Sequence, residues 1–487
     1  MTEYSHNFAF VCTDDDLSYA NQLKKVTGNA KVFVLSAESV TVIQFEQWAK
    51  QRNIKGVFLT QAPFIKKLLN LHSSRKEPSL NDYQGSLIKR NGIEYVILPP
   101  LEHSFTVKYG QFLIKRFASK LLHPEQWSAT PEFSWEIFKE EKAEETISLL
   151  NSAMLLGVDS ETASEPILRI ICVSYTAVFD DLSSKTIVIP CNSTFNLAAI
   201  RRINSNGVAK VLQNGKYDCA YFFRFNCVLN NYFFDTSNAF NCWYSELPKD
   251  LGFQGAFFIR DCVYWKDLAH TGSQEDFYQY AARDPWATVF SFIAWLRESP
   301  DFARKNYVIQ FPAVFPSHYC EQLGIKQDRI ELLKRKTEKE QELAKLQKSV
   351  NTMLGCEFNT ASTPQKRKLL TILGQGNLPT TSEKDLKKAM FAHPLNERII
   401  EPIIEIQKIR KELSVYLVET KHFNGRILYA INPHATDTGR TASKEHHFWC
   451  GLQIQNIKRG GSVKSTFIAD EGFCLAEVDL EQAETRD

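Results

Sequence analysis

The apolar run Leu155-Leu156-Gly157-Val158 ends on Asp159, and Glu161 follows two residues later. Such a run reads as a strand, and side chains along a strand alternate between its faces, so Asp159 and Glu161 project from one face at its end. The run opens an α/β unit that continues through a second strand over 170–177 and closes near Trp295. Upstream, short apolar runs at 8–12, 31–35, 56–59 and 95–98 alternate with mixed helical stretches, which is again an α/β pattern. Downstream, Gly324-Ile325-Lys326-Gln327-Asp328 leads into a long charged helix in which Leu343, Leu346, Val350 and Met353 recur as one apolar stripe. Its other faces mix Lys334, Arg335, Lys339 and Lys345 with Glu338, Glu340 and Glu342, as a solvated face does. Two further helices are expected over about 383–392 and 396–420.

A chain of 487 residues with this much apolar content is expected to form three or four domains. Lys and Arg total 58 against 56 Asp and Glu, a formal charge of +2, so any nucleic-acid partner must be met by a local basic face. The 11 cysteines are dispersed without a Cys-x-x-Cys pair, which fits a reducing cytoplasm better than disulfides or a zinc site. The N-terminal residues lack the basic stretch and apolar core of a signal peptide. No apolar stretch reaches the roughly 18–20 residues that span a bilayer. The expectation is a soluble cytoplasmic protein without a membrane partner.

The unit opened by Asp159 and Glu161 carries two more acidic marks in order. Asn214 is followed four residues later by Asp218, and Tyr280 four residues later by Asp284. On a helix the second spacing stacks Tyr280 and Asp284 on one face. Four carboxylates, Asp159, Glu161, Asp218 and Asp284, converging on one cleft repel one another and raise each other's pKa values. Divalent cations relieve that repulsion, and an all-oxygen set suits Mg²⁺ or Mn²⁺ rather than zinc. Two such ions activate a water and stabilise the leaving 3′ oxygen of a phosphodiester, with Tyr280 placed to orient the water.

This ordered set resembles the DEDD exonuclease superfamily, in the subgroup with Tyr rather than His in its third motif. The resemblance implies a 3′→5′ exonuclease on a ribonuclease H-like domain, a central mixed sheet flanked by helices. It implies metal binding at Asp159, Glu161, Asp218 and Asp284, and water orientation by Tyr280. Phe234-Asp235-Thr236 resembles a segment that follows the second motif in such domains. Glu246-Leu247-Pro248-Lys249-Asp250-Leu251 with Tyr264-Trp265-Lys266-Asp267 resembles the bacteriophage versions.

A second constellation lies downstream. Thr438-Gly439-Arg440 leads to Gln455-Asn456-Ile457, and then an apolar run over 473–478, expected as a strand, ends on Asp479, with Glu484 five residues on. A Thr-Gly-Arg turn, a Gln-Asn-Ile segment and a strand-end aspartate in this order resemble the approach to motif A of the family A (polymerase I type) DNA polymerases. Two positions depart from that pattern: Lys458 stands where the family has proline, and Leu480-Glu481 replaces Tyr-Ser. The resemblance implies that Arg440, Gln455 and Asn456 meet primer–template DNA in its minor groove. It also implies that Asp479 is a catalytic metal ligand and that Glu484 packs beneath the incoming nucleotide's sugar. Lys408, Arg410 and Lys411 on the 396–420 helix suit contacts to duplex phosphates.

The expected organisation is therefore an α/β multi-domain protein. It has an N-terminal α/β domain of unknown role over 1–130 and the exonuclease over 131–300. The start of a palm with a helical thumb occupies 301–425, and a partial palm 426–487. Nothing after Asp487 supplies a fingers helix or a second metal-binding aspartate, so the chain alone is expected not to polymerise DNA. The leading expectation is the proofreading half of a split polymerase, completed by a second protein chain and acting on primer–template and single-stranded 3′ ends. A spliced gene piece and a trimmed product are the other origins. The functional alternatives are a stand-alone 3′→5′ DNA exonuclease that uses thumb and partial palm as a clamp, and a non-enzymatic DNA-binding accessory.

Overall fold

A computed structural model describes residues 7–12, 32–36, 41–69, 79–419, 422–433, 435–436, 438–457 and 461–478. The chain divides into two compact units, one of Met1–Phe315 with Pro433–Arg440 and one of Pro316–Asn432 with Thr441–Asp487.

The first unit holds two sheets. In the first, β1 (Asn7–Cys12), β2 (Val32–Ser36), β3 (Ile54–Leu59), β4 (Leu87–Arg90) and β5 (Ile93–Ile97) lie in the order β2-β1-β3-β5-β4. All pairs are parallel except the β4–β5 hairpin. That hairpin turns at Asn91-Gly92, with φ of 49° and 76°, the left-handed conformation a tight two-residue turn requires. Phe45, Val57, Leu59, Ile65 and Tyr95 fill its core.

The second sheet comprises β6 (Trp135–Ile137), β7 (Leu155–Ala163), β8 (Arg169–Val178), β9 (Ser184–Pro190), β10 (Ala209–Leu212) and β11 (Tyr232–Asp235), in the order β11-β10-β7-β8-β9-β6. β7 lies inside this mixed sheet, antiparallel to β8 and parallel to β10. Leu155, Leu156 and Val158 are buried, as the apolar run predicts. The helix Gln274–Glu298 crosses the sheet against β7, β8, β9 and β10. It starts at Ser273, whose side chain accepts the N–H of Asp276. Gly157 admits this helix: a Cβ at that position would lie 2.3 Å from the Pro285 carbonyl oxygen.

The second unit is mainly helical. Asp328 accepts the N–H groups of Ile330 and Glu331 and so starts the helix Arg329–Leu354, which Gly355 ends at φ 65°. Leu343, Leu346 and Val350 pack as expected with Leu369, Leu386, Ile400 and Ile403. Met353 does not; it is exposed, and Leu354 makes the next inward contact, because eleven residues from Leu343 complete three helical turns. Glu331–Arg335 and Lys339–Glu342 pairs run along the solvated face. The helices Glu383–Ala392 and Pro394–Lys411 fall where the sequence places them, although the second passes into a π turn over Glu412–Tyr416. A three-stranded sheet joins β12 (Ile325–Gln327), β13 (Arg426–Ile427) and β16 (Phe467–Ile468), and β14 (Ala430–Asn432) pairs β15 (Ala442–Lys444).

The strand expected over 473–478 does not form. Phe473, Leu475 and Val478 are 79%, 62% and 86% exposed. A strand is held by pairing its backbone groups with a neighbour, and among the described residues no strand lies alongside. Asp479 and Glu484, together with Lys458, lie outside the described residues.

Candidate metal-dependent nuclease site

β7 runs past the expected end at Asp159 to Ala163, because pairing with β8 continues to Arg169, and it presents Asp159, at its middle, and Glu161 on one face, as the two-residue period dictates. The helix Gln274–Glu298 brings Tyr280 and Asp284 to the same place. One carboxylate oxygen from each of Asp159, Glu161 and Asp284 lies within 4.8 Å of the others, close enough for one cation to touch all three. An all-oxygen donor set of this size fits Mg²⁺ or Mn²⁺. Tyr280 stands close enough to Glu161 for that carboxylate's charge to bear on its hydroxyl.

Asp218 faces the cluster from the helix Lys216–Arg224 but is held one step aside. Its Oδ1 accepts the Ser160 N–H at 2.9 Å and the Ser160 hydroxyl at 2.6 Å. The start of that helix is fixed from beneath by Asp235, which accepts the Gly215 N–H at 2.9 Å and the Tyr232 hydroxyl at 2.5 Å. The three-carboxylate group thus omits the fourth acidic residue, Asp218.

Burial and crowding govern the electrostatics. Asp159 is pushed well above the ordinary carboxylate range by burial, then by the charges of Asp284, Asp218 and Glu161. Burial, with Asp284 next, pushes Glu161 up to about 7. Asp218 also rises to about 7 through burial, against the lowering pull of its Ser160 bonds. Burial and the surrounding carboxylates raise the Tyr280 hydroxyl far above its usual range.

Two residues that sequence reasoning did not assign complete the site. The Trp265 indole N–H donates to Asp284 Oδ1 at 2.6 Å. The Lys266 ammonium ion-pairs with Asp284 Oδ2 and lies 5.0 Å from the centre of the Tyr280 ring. Burial alone would lower the pKa of Lys266, but Asp284 and Asp159 raise it on balance. Both residues stand in the segment Tyr264-Trp265-Lys266-Asp267, whose spacing from Tyr280 and Asp284 follows no helical or strand period.

The residues expected to meet duplex DNA fall into both units. Arg440 ends the stretch that clusters with the first unit, and its carbonyl accepts the Thr436 hydroxyl at 2.6 Å. In the second unit Gln455 and Asn456 are exposed on a short turn, where Gln455 Nε2 donates to Thr441 Oγ1 at 2.8 Å. Lys408, Lys411 and Asn456 share the wall of one cavity of about 110 Å³. Arg410 instead turns inward and donates to Gln347 Oε1 at 3.3 Å.

No family model matches the chain. Among curated proteins, the thermostable DNA polymerase I of Thermus aquaticus is 29% identical over 185 residues, 34% of this chain and 21% of that protein. The thermostable DNA polymerase I of Thermus thermophilus is 29% identical over 180 residues, again 34% of this chain and 21% of the relative. The match thus spans about a fifth of the length of these relatives. Among solved structures, the POL domain of Pol1 from M. smegmatis, in complex with DNA primer-template and dNTP, superposes with a TM-score of 0.52 at 16% identity. That likeness covers 70% of this chain and 59% of the other, and at this identity it is one of fold. Over about a third of its length the chain is homologous to the DNA polymerase I proteins of family A.

Proposed function

We propose that this chain is a metal-dependent 3′→5′ exonuclease that trims DNA ends within a polymerase of the polymerase I kind. The observation that carries the reading is the meeting of Asp159, Glu161 and Asp284 within 4.8 Å, with Tyr280 close by on the helix that bears Asp284. The strand order of the second sheet, with antiparallel β8 between β7 and β9, supports a ribonuclease H-like unit. Homology to DNA polymerase I supports DNA as the substrate and nucleotidyl transfer as the activity of the polymerase.

In this reading Asp159, Glu161 and Asp284 would hold divalent cation, with Asp218 beside them on its Ser160 bonds. Bound there, divalent cations would favour hydroxide at neutral pH and stabilise the departing 3′ oxygen. Tyr280, held on the helix that bears Asp284, orients the attacking water toward the terminal phosphodiester. Water adds to phosphorus, the bond to the 3′ oxygen of the penultimate nucleotide breaks, and a 5′-mononucleotide leaves. Ser160 and Asp235 keep the helix bearing Asp218 in register with β7.

Digestion of 5′-labelled DNA, single-stranded or annealed to a template with a paired or mismatched 3′ end, tests this. The expected product is a Mg²⁺- or Mn²⁺-dependent ladder shortening from the 3′ end, faster on mismatched than on paired termini. Asp159→Ala removes a cation ligand worth several kcal/mol, so the rate should fall at least about a hundredfold. No metal-dependent digestion, or digestion untouched by Asp159→Ala, favours a DNA-binding role without catalysis. Primer extension with dNTPs and Mg²⁺ tests the polymerase part separately.

A further inference from the structure

Lys266 is a cation already present in a site built for cations. Its ammonium lies on Asp284 Oδ2, while the other oxygen of that carboxylate accepts the Trp265 indole N–H. Asp284 is 4% exposed and Lys266 27%. The charges of Asp284, Asp159 and Glu161 all bear on this ammonium, which lies 5.0 Å from the centre of the Tyr280 ring.

The position is built and not merely a resting place for a long side chain. The segment carrying Lys266 is pinned along β4 of the neighbouring sheet: Leu87 N–H donates to the Cys262 carbonyl at 3.0 Å and Tyr264 N–H to Ser86 Oγ at 3.0 Å. The Tyr83 hydroxyl donates to Asp267 Oδ2 at 2.7 Å, one residue beyond the lysine. The backbone at residue 266 is therefore fixed relative to Asp284, and the ammonium has a short reach to the cluster.

We propose that Lys266 acts as a resident cation that competes with divalent metal for Asp284. Without metal it offsets part of the charge of four crowded carboxylates and keeps Asp284 in place. A divalent ion on the same carboxylate is repelled by the ammonium, so loading of the site displaces Lys266 from Asp284. Lys266 is thus a positioning residue that sets how tightly the site binds metal. This rests on the exonuclease reading.

Mn²⁺ binding to the full chain, followed by electron paramagnetic resonance and calorimetry, provides the test with no activity readout. Wild-type binding that Asp159→Ala weakens establishes the metal site itself; its failure would sink the exonuclease reading and this one with it. With the site established, Lys266→Met should bind Mn²⁺ about tenfold more tightly than wild type, because the competing charge is gone. Lys266→Arg, which keeps the charge, should bind as wild type does. The metal-free thermal midpoint of Lys266→Met should fall, and saturating Mn²⁺ should restore it. Equal or weaker Mn²⁺ binding by Lys266→Met, with the metal site established, would show that the ammonium only props Asp284 and would overturn the inference. If Lys266→Met does not fold, Lys266→Gln carries the same two outcomes.

Discussion

Crowding half-buried Asp159 and Glu161 against buried Asp218 and Asp284 leaves negative charges close together in a poorly solvated place, which protons, Lys266 or metal relieve. The consequence for stability has a definite sign. Glu161 and Asp218 titrate near 7 in the fold, against roughly 4 for exposed carboxylates, so the native state holds more protons across that window. Stability of the metal-free protein should therefore fall as pH rises from about 4 to about 7. Thermal denaturation in EDTA at pH 5 and pH 7.5 should give the lower midpoint at pH 7.5, and Mn²⁺ should recover most of the loss. A midpoint that stays level or rises in EDTA would contradict this account of the cluster. At this scale Asp159, Glu161, Tyr280 and Asp284 were legible in the sequence, because period-two and four-residue spacings put side chains on shared faces. Lys266 was not, since its approach to Asp284 depends on a loop pinned to a different sheet.

At the scale of elements, the site depends on how closely β7 and the helix Gln274–Glu298 approach. Gly157 sets that distance, two residues before Asp159, and Pro285 sits opposite it, next to Asp284. Gly157→Ala would drive a methyl group into the Pro285 carbonyl and should cost about 1–3 kcal/mol of stability, as overpacking does. It should also part Asp159 from Asp284 and weaken Mn²⁺ binding. Urea denaturation and metal titration of the variant check both, and a variant with wild-type stability and affinity would refute the role of Gly157. The elements themselves were partly legible. β1, β2, β3, β5 and β8 fall where apolar runs were read, whereas β4 escaped notice because Leu87-Ile88-Lys89-Arg90 is short and half charged. The turn at Asn91-Gly92 carried the signal for it. The 473–478 run failed as a strand because apolar content alone supplies no pairing partner.

For the whole molecule, the proposed nuclease unit shares the chain with a helical unit in which Lys408 and Lys411 line a cavity together with Glu383 and Glu412. Lys408 and Lys411 flank the same cavity as Asn456, and the net charge of +2 leaves binding to such local groups. If they meet phosphates, Lys408→Ala with Lys411→Ala should weaken primer–template binding for every sequence. The slope of log affinity against log salt should become shallower by about 0.9 for each lost contact. Fluorescence anisotropy across a salt series measures this, and an unchanged slope would remove these lysines from the interface. The central claim concerns the carboxylate cluster, and crystals of the chain grown with Mn²⁺ and a deoxynucleoside 5′-monophosphate test it most directly. The account predicts anomalous density for manganese touching Asp159, Glu161 and Asp284, with the nucleotide's phosphate beside it and Lys266 moved off Asp284. Manganese bound elsewhere, with Lys266 still paired to Asp284 and the cluster free of metal, would contradict it.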